Sequence, residues 1–180
     1  MRVIAGKAKG TILKTPEGMH TRPTTDRVKE ALFSIIQFDL PGADVLDLFG
    51  GTGQLGIEAI SRGATHAVFV DDSNDACRLI TGNLKKAHME QEGQVIRGDY
   101  LSYLDRCREK FRIIFLDPPY AEVYLETALQ KISKIDILLS GGIRVAERPL
   151  GKDLPPELEG FTRSRDYKYG KILLTLYRKE

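Results

Sequence analysis

Residues 45–56 read VLDLFGGTGQLG, an apolar run followed by glycines at 51, 53 and 56 in G-x-G-x-x-G spacing. IEAISRG follows with helical character, and an acid, Asp71, closes a second apolar run, AVFVD, about twenty residues further on. Strand, glycine turn, helix, strand, acid is the order of a nucleotide-cofactor fold. Taken alone, the spacing predicts a dinucleotide site, and the rest of the chain decides whether that expectation stands.

Downstream, the alternation continues. DSNDACRLITGNLKKA (72–87) has helical spacing, with Ala76, Leu79, Ile80 and Leu84 on one face. QVIRGD (94–99) reads as a short strand and FRIIFLD (111–117) as a strand buried on both faces. A helix over 121–135 and a strand over 141–147 complete a parallel sheet with helices on both sides. The end departs from this rhythm: FTRSRDYKYGKILLTLYRK (161–179) has no helix between its two apolar halves and predicts a hairpin. A parallel sheet closed by an antiparallel hairpin is the arrangement of methyltransferases that use S-adenosylmethionine. Upstream, VIAGKAKGTILKT predicts a small hairpin. TRPTTDRVKEALFSII predicts a helix capped by Thr24 or Thr25, with Val28, Ala31, Leu32 and Ile35 inward.

FLDPPYAE (115–122) settles the chemistry. An acid at the carboxyl end of a buried strand lies where open α/β sheets bind ligands. Pro118 and Pro119 remove two backbone donors and stiffen the chain, and Tyr120 adds a flat ring. Such a loop suits an exocyclic amine on a planar base. Asp117 and the Pro118 carbonyl accept the two amine hydrogens, and Tyr120 stacks on a base taken out of its helix. Whether Asp117 acts as a base or only orients the amine is open.

The glycine loop then takes another meaning. Asp47 lies inside the first strand, where dinucleotide proteins carry small apolar residues, and an acid there suits a cationic cofactor. Phe49, Gly50, Gly51, Thr52 and Gly53 form the turn that approaches S-adenosylmethionine. Asp71 takes its ribose hydroxyls, and Asp99 with Tyr100 its adenine.

At 180 residues, 42% hydrophobic and 29% charged, the chain suits one domain: a basic hairpin extension over 1–22 and a catalytic core over 23–180. No apolar run approaches the roughly 20 residues of a membrane span. The charged N-terminus is unlike a signal peptide, so a cytoplasmic location is expected. Cys77 and Cys107 have no metal-ligand spacing, and no metal is expected. The net charge of +2 is uneven: +5 over 1–29, +4 over 161–180 and −7 between them. Basic ends suggest a polyanionic partner.

These residues together resemble the RsmD-type family, bacterial methyltransferases acting on the 2-amino group of one guanine in 16S ribosomal RNA. The likeness spans almost the whole chain. The opening RVIAG with the later RPTTDRVKEALF is its most specific part, whereas DPPY is shared with many amino-methyltransferases. The resemblance implies a seven-stranded, Rossmann-like class I methyltransferase sheet with a C-terminal antiparallel hairpin and a small N-terminal hairpin and helix extension. It implies S-adenosylmethionine on Asp47, Gly50, Gly51, Gly53, Asp71 and Asp99, and a catalytic loop of Asp117, Pro118, Pro119 and Tyr120. It also implies Arg22, Thr24 and Arg27 facing the RNA, and Arg2, Lys7 and Lys9 holding phosphates. The expected partner is 16S rRNA or an assembling small subunit, met by a monomer. Asp72 follows Asp71 where the family has a basic or apolar residue; Asp71, at the strand end, is chosen for the ribose. The rival readings are a DNA adenine amino-methyltransferase and a non-catalytic RNA-binding or assembly protein.

Overall fold

The computed structural model of the chain describes residues 1–17, 26–119 and 123–180. Its centre is a run of five parallel strands: β1 (Asp44–Asp47), β2 (His66–Asp71), β3 (Gly93–Arg97), β4 (Phe111–Leu116) and β5 (Leu138–Pro149). Three antiparallel strands extend it: β6 (Glu157–Leu158), β7 (Phe161–Tyr169) and β8 (Ile172–Lys179). The order is β3-β2-β1-β4-β5-β8-β7-β6. Seven of these strands match the expected sheet, and the two-residue β6 is an eighth, at the edge.

Side chains alternate between the faces of each central strand. Val45, Ile113 and Phe115 join Leu32, Ile57 and Ile80 from helices α1 (Asp26–Ile35), α2 (Gln54–Ser61) and α3 (Asn74–Lys86). Leu46, Ile114 and Leu116 join Leu104 and Leu129 from α4 (Tyr100–Arg106) and α5 (Tyr124–Ser133) on the other face. The continuous apolar runs of the sequence follow from this double coverage.

Two local expectations need correction. The strand predicted over 94–99 ends at Arg97, and Asp99 instead caps α4, accepting from Ser102 N at 2.9 Å. The N-terminal hairpin has a single bridge pair, Arg2 with Ile12. Its ladder stops because α2 takes its backbone groups. The Glu58 carboxylate accepts from Ile4 N and Ala5 N, and Ser61 Oγ accepts from Ala8 N and donates to Ala5 O. Gly6, at φ +84°, lies so close to Ser61 O that a Cβ would sit 1.8 Å from it. Val3, Ala8 and Leu13 enter the same core as α1, α2 and α3. The capping threonines proposed for α1 lie outside the described residues.

Gly82 sits on the solvent side of α3, and a Cβ there would meet nothing within 4 Å. A mid-helix glycine without a steric reason costs up to about 1 kcal/mol relative to alanine. Gly82→Ala is therefore expected to raise the thermal midpoint by a few degrees. A lower midpoint would mean that the backbone needs the glycine.

Candidate active site

The strand order reverses between β1 and β4: from β1 the chain runs outward through β2 and β3, then crosses back to lay β4 on β1's other side. Such a switch point opens a crevice at the carboxyl ends of the two strands. Asp47 is in register with Phe115, and Leu48 N donates to Phe115 O at 3.2 Å. The loops leaving β1 and β4, which carry the glycines and Asp117-Pro118-Pro119, thus begin side by side.

The glycines divide the work of the first loop. Gly50 N donates to Val70 O at 2.8 Å, and a Cβ on Gly50 would lie 2.7 Å from Ile80 Cδ1. Gly51 and Gly53 have φ of +57° and +80°, the left-handed region that side chains disfavour. Gly56 lies under the Phe69 ring, where a Cβ would come within 2.3 Å, so it lets α2 lie close on β2. Asn83, buried in α3, donates to Thr52 O at 2.9 Å and exchanges hydrogen bonds with the backbone of Lys14. It ties the loop to the N-terminal segment. A polar residue on the apolar face formed by Ile80 and Leu84 was the signal for it in the sequence.

Asp47 is 2% exposed. Its Oδ2 accepts from Gly56 N at 3.3 Å, while among the described residues its Oδ1 has no partner. Burial pushes its carboxyl well above the usual range, the Gly56 N–H opposes this, and the charges of Asp117 and Asp71 push it higher still. A cation placed among Asp47, Asp71 and Asp117 would relieve all of these costs. The donor set therefore fits a positively charged ligand.

Asp71 is held at both oxygens, by Gly51 N at 2.9 Å and Ser73 N at 2.9 Å, while its neighbour Asp72 is exposed. Asp117 is half-buried, Pro118 buried and Pro119 exposed; Tyr120 lies outside the described residues. Phe49, Tyr100 and Tyr124 form an aromatic cluster with centroid separations of 5.0, 5.6 and 6.4 Å. It links the ends of β1, β3 and β4 around the crevice. Tyr124 was missed in the sequence because it reads as an ordinary helix residue.

Farther out, Arg2 pairs with Asp26 and Lys7 with Glu92, while Lys9 and Arg27 are exposed. Arg22 and Thr24 lie outside the described residues. Lys29 and Glu58 are fully buried; Lys29 donates to Arg2 O at 2.6 Å and lies 3.6 Å from Glu58, which also accepts from Arg62. Among the described residues no metal-binding cluster occurs, and no helix is long and apolar enough to cross a membrane.

The family described as Conserved hypothetical protein 95 matches residues 1–178. The chain belongs to this family. Over 182 residues it is 41% identical to a Bacillus subtilis relative named "Putative rRNA methyltransferase YlbH", covering 99% of each chain. It is 28% identical to the Escherichia coli protein named "Ribosomal RNA small subunit methyltransferase D", covering 100% of this chain and 90% of that one. A solved structure titled "Putative methyltransferase yhhF from Escherichia coli" superposes with a TM-score of 0.91 at 27% identity, covering 100% of this chain and 98% of that one. The family named from RVIAG, RPTTDR and DPPY is thus the right one, and the fold is that of its methyltransferases.

Proposed function

We propose that the protein is an S-adenosylmethionine-dependent methyltransferase whose substrate is the 2-amino group of a guanine in 16S rRNA. The observation that carries this reading is the switch point. There a half-buried acid followed by two prolines stands beside a glycine loop whose buried Asp47 lacks, among the described residues, a partner for one oxygen.

S-adenosylmethionine would supply a methyl group activated by a sulfonium, and its positive charges would lie among Asp47, Asp71 and Asp117. Gly50, Gly51 and Gly53 bring the backbone close to it, with Phe49 and Thr52 in the same turn. Asp71, already oriented by Gly51 N and Ser73 N, retains lone pairs for ribose hydroxyls and is preferred to the exposed Asp72. Tyr100 offers a ring for the adenine, and Asp99 keeps one carboxylate oxygen beyond its cap.

The amine lone pair is delocalised into the base. Asp117 and the Pro118 carbonyl accept its two hydrogens and aim the nitrogen at the methyl carbon, with Tyr120 stacked on the base. The bound cofactor would supply the methyl group to the nitrogen and keep the sulfur's electron pair, and Asp117 or water would take up the surplus proton of the amine. The protein's share is mainly orientation and exclusion of water.

Calorimetry tests the cofactor. S-adenosylhomocysteine is expected to bind and NAD is not. Asp47→Asn should weaken binding by about 1–3 kcal/mol, the loss of a charged partner. The sign of the pH effect follows from burial: a raised carboxyl gains its proton above the usual range, so ligand affinity should fall as pH drops, beginning at a higher pH than an ordinary carboxylate would cause. Asp47→Asn should flatten that decline. Tight NAD binding, or an unchanged pH profile in the variant, would contradict the assignment.

A further inference from the structure

Two of the three phosphate contacts expected on the N-terminal extension, Arg2 and Lys7, are engaged in ion pairs with Asp26 and Glu92. A second basic surface lies beside them. Arg78, Gly82 and Lys85 recur along the exposed side of α3 at spacings of four and three residues, with Lys86 next to them. None of Arg78, Lys85, Lys86, Lys14 or Arg97 is in an ion pair among the described residues. Asn83 binds the backbone of Lys14 through both its amide oxygen and its amide nitrogen, so the extension and α3 form one surface. At the other end of α3, Arg78, Thr81 and Arg97 line a shallow pocket of about 330 Å³ with Cys77 and Val95.

The place of this pocket matters. Arg97 ends β3 and is in register with Asp71, so this side of the pocket lies at the carboxyl edge of the sheet, where the active site also lies. It stands three strands from β4, about 14 Å, a reach of a few nucleotides. Gly82, which no packing contact requires, leaves the helix surface flat between Arg78 and Lys85. A flat basic strip that runs from Lys14 along α3 to a pocket flanked by Arg78 and Arg97 suits a ribose-phosphate backbone.

We infer that the outer face of α3, with the pocket between Arg78 and Arg97, is a second RNA-backbone docking surface that holds nucleotides flanking the target base. The inference rests on the rRNA reading above. It adds an element of the fold to which that reading assigned no RNA contact.

The test uses the intact protein, deproteinised small-subunit rRNA and a range of salt concentrations. Replacing Arg78 and Arg97 together with alanine should weaken RNA binding roughly tenfold and lower the slope of log affinity against log salt by about 1.5, the release of two counterions. S-adenosylhomocysteine affinity and thermal stability should not change, because both side chains are exposed. Gly82→Glu should weaken RNA binding as well, whereas Gly82→Ala should not. If the unaltered protein binds this RNA and the double variant matches it in affinity and salt slope, the surface is not used. Cofactor affinity falling with RNA binding unchanged would assign the two arginines to the cofactor instead and overturn the inference. Absence of binding by the unaltered protein both to this RNA and to small-subunit particles would defeat the substrate reading itself, and the surface with it.

Discussion

Asp117→Ala is expected to bind S-adenosylhomocysteine about as tightly as the unaltered protein and to transfer methyl groups about 10²–10⁴-fold more slowly. The split follows from position. Asp117 leaves β4 at the switch point next to the first loop, but the loop's own hydrogen bonds go elsewhere: Gly50 to Val70, Gly51 to Asp71 and Gly56 to Asp47. None of these bonds is made by Asp117, and S-adenosylhomocysteine lacks the sulfonium charge that this acid would face. The amine does, because its lone pair reaches the methyl carbon only when its hydrogens are held, and a positioned proton acceptor contributes on this scale. Loss in kcat with little change in cofactor affinity marks an interaction made in the transition state. Asp117→Asn keeps one accepting oxygen and should fall between the two. Turnover near the unaltered rate in Asp117→Ala would remove the acid from the chemistry.

The second large effect is on the fold. Glu58→Ala is expected to destabilise the protein by about 3–5 kcal/mol, the usual cost of breaking a buried ion pair by removing one partner. Four groups lose a partner at once: the Lys29 ammonium, the Arg62 guanidinium and the amides of Ile4 and Ala5. Among the described residues Lys29, fully buried, would keep only the Arg2 carbonyl as acceptor, although burial already lowers its pKa against the opposing pull of Glu58. The amides of Ile4 and Ala5 would lose the carboxylate that replaces their hairpin partners. Against a total stability of about 5–15 kcal/mol, such a loss loosens the whole N-terminal segment. Glu58→Gln combined with Lys29→Met should recover part of it, since neither fully buried charge remains and an oxygen still meets the two amides, although Arg62 loses its carboxylate. Denaturant titration of the three proteins measures this; a loss under about 1 kcal/mol in Glu58→Ala would mean that the extension is held by its apolar contacts instead.

The parts of the molecule legible in the sequence are those that local pattern controls. Continuous apolar runs gave away β1, β2 and β4, because a strand covered on both faces has no polar side. Glycine spacing gave the turn above Asp47, and the D-P-P-Y quartet marked the crevice. The hidden parts depend on partners distant in the chain. Lys29 and Glu58 look like ordinary charged positions of amphipathic helices, and only the fold brings them to 3.6 Å. The short hairpin pattern at residues 3–15 was real, but Glu58 and Ser61 compete for its backbone and reduce it to one bridge. Helix α4 spans seven residues, too few for a periodic signal, and its cap Asp99 resembles an acid ending a strand. Asp71 was read as a ribose ligand from its place at the end of β2. That the same carboxylate also braces the glycine loop through Gly51 could be learned only from the folded chain.

The central claim is the reaction, and one measurement meets it directly. The purified protein is incubated with methyl-labelled S-adenosylmethionine and, separately, with deproteinised small-subunit rRNA, small-subunit particles lacking the modification, and plasmid DNA. Labelled nucleosides are then identified by mass spectrometry. The account predicts label in rRNA as N2-methylguanosine at a single position, at an initial rate about 10²–10⁴-fold lower when Asp117 is alanine. Label in DNA as N6-methyladenine, or no transfer to RNA or particles by a protein that binds the cofactor, would contradict it.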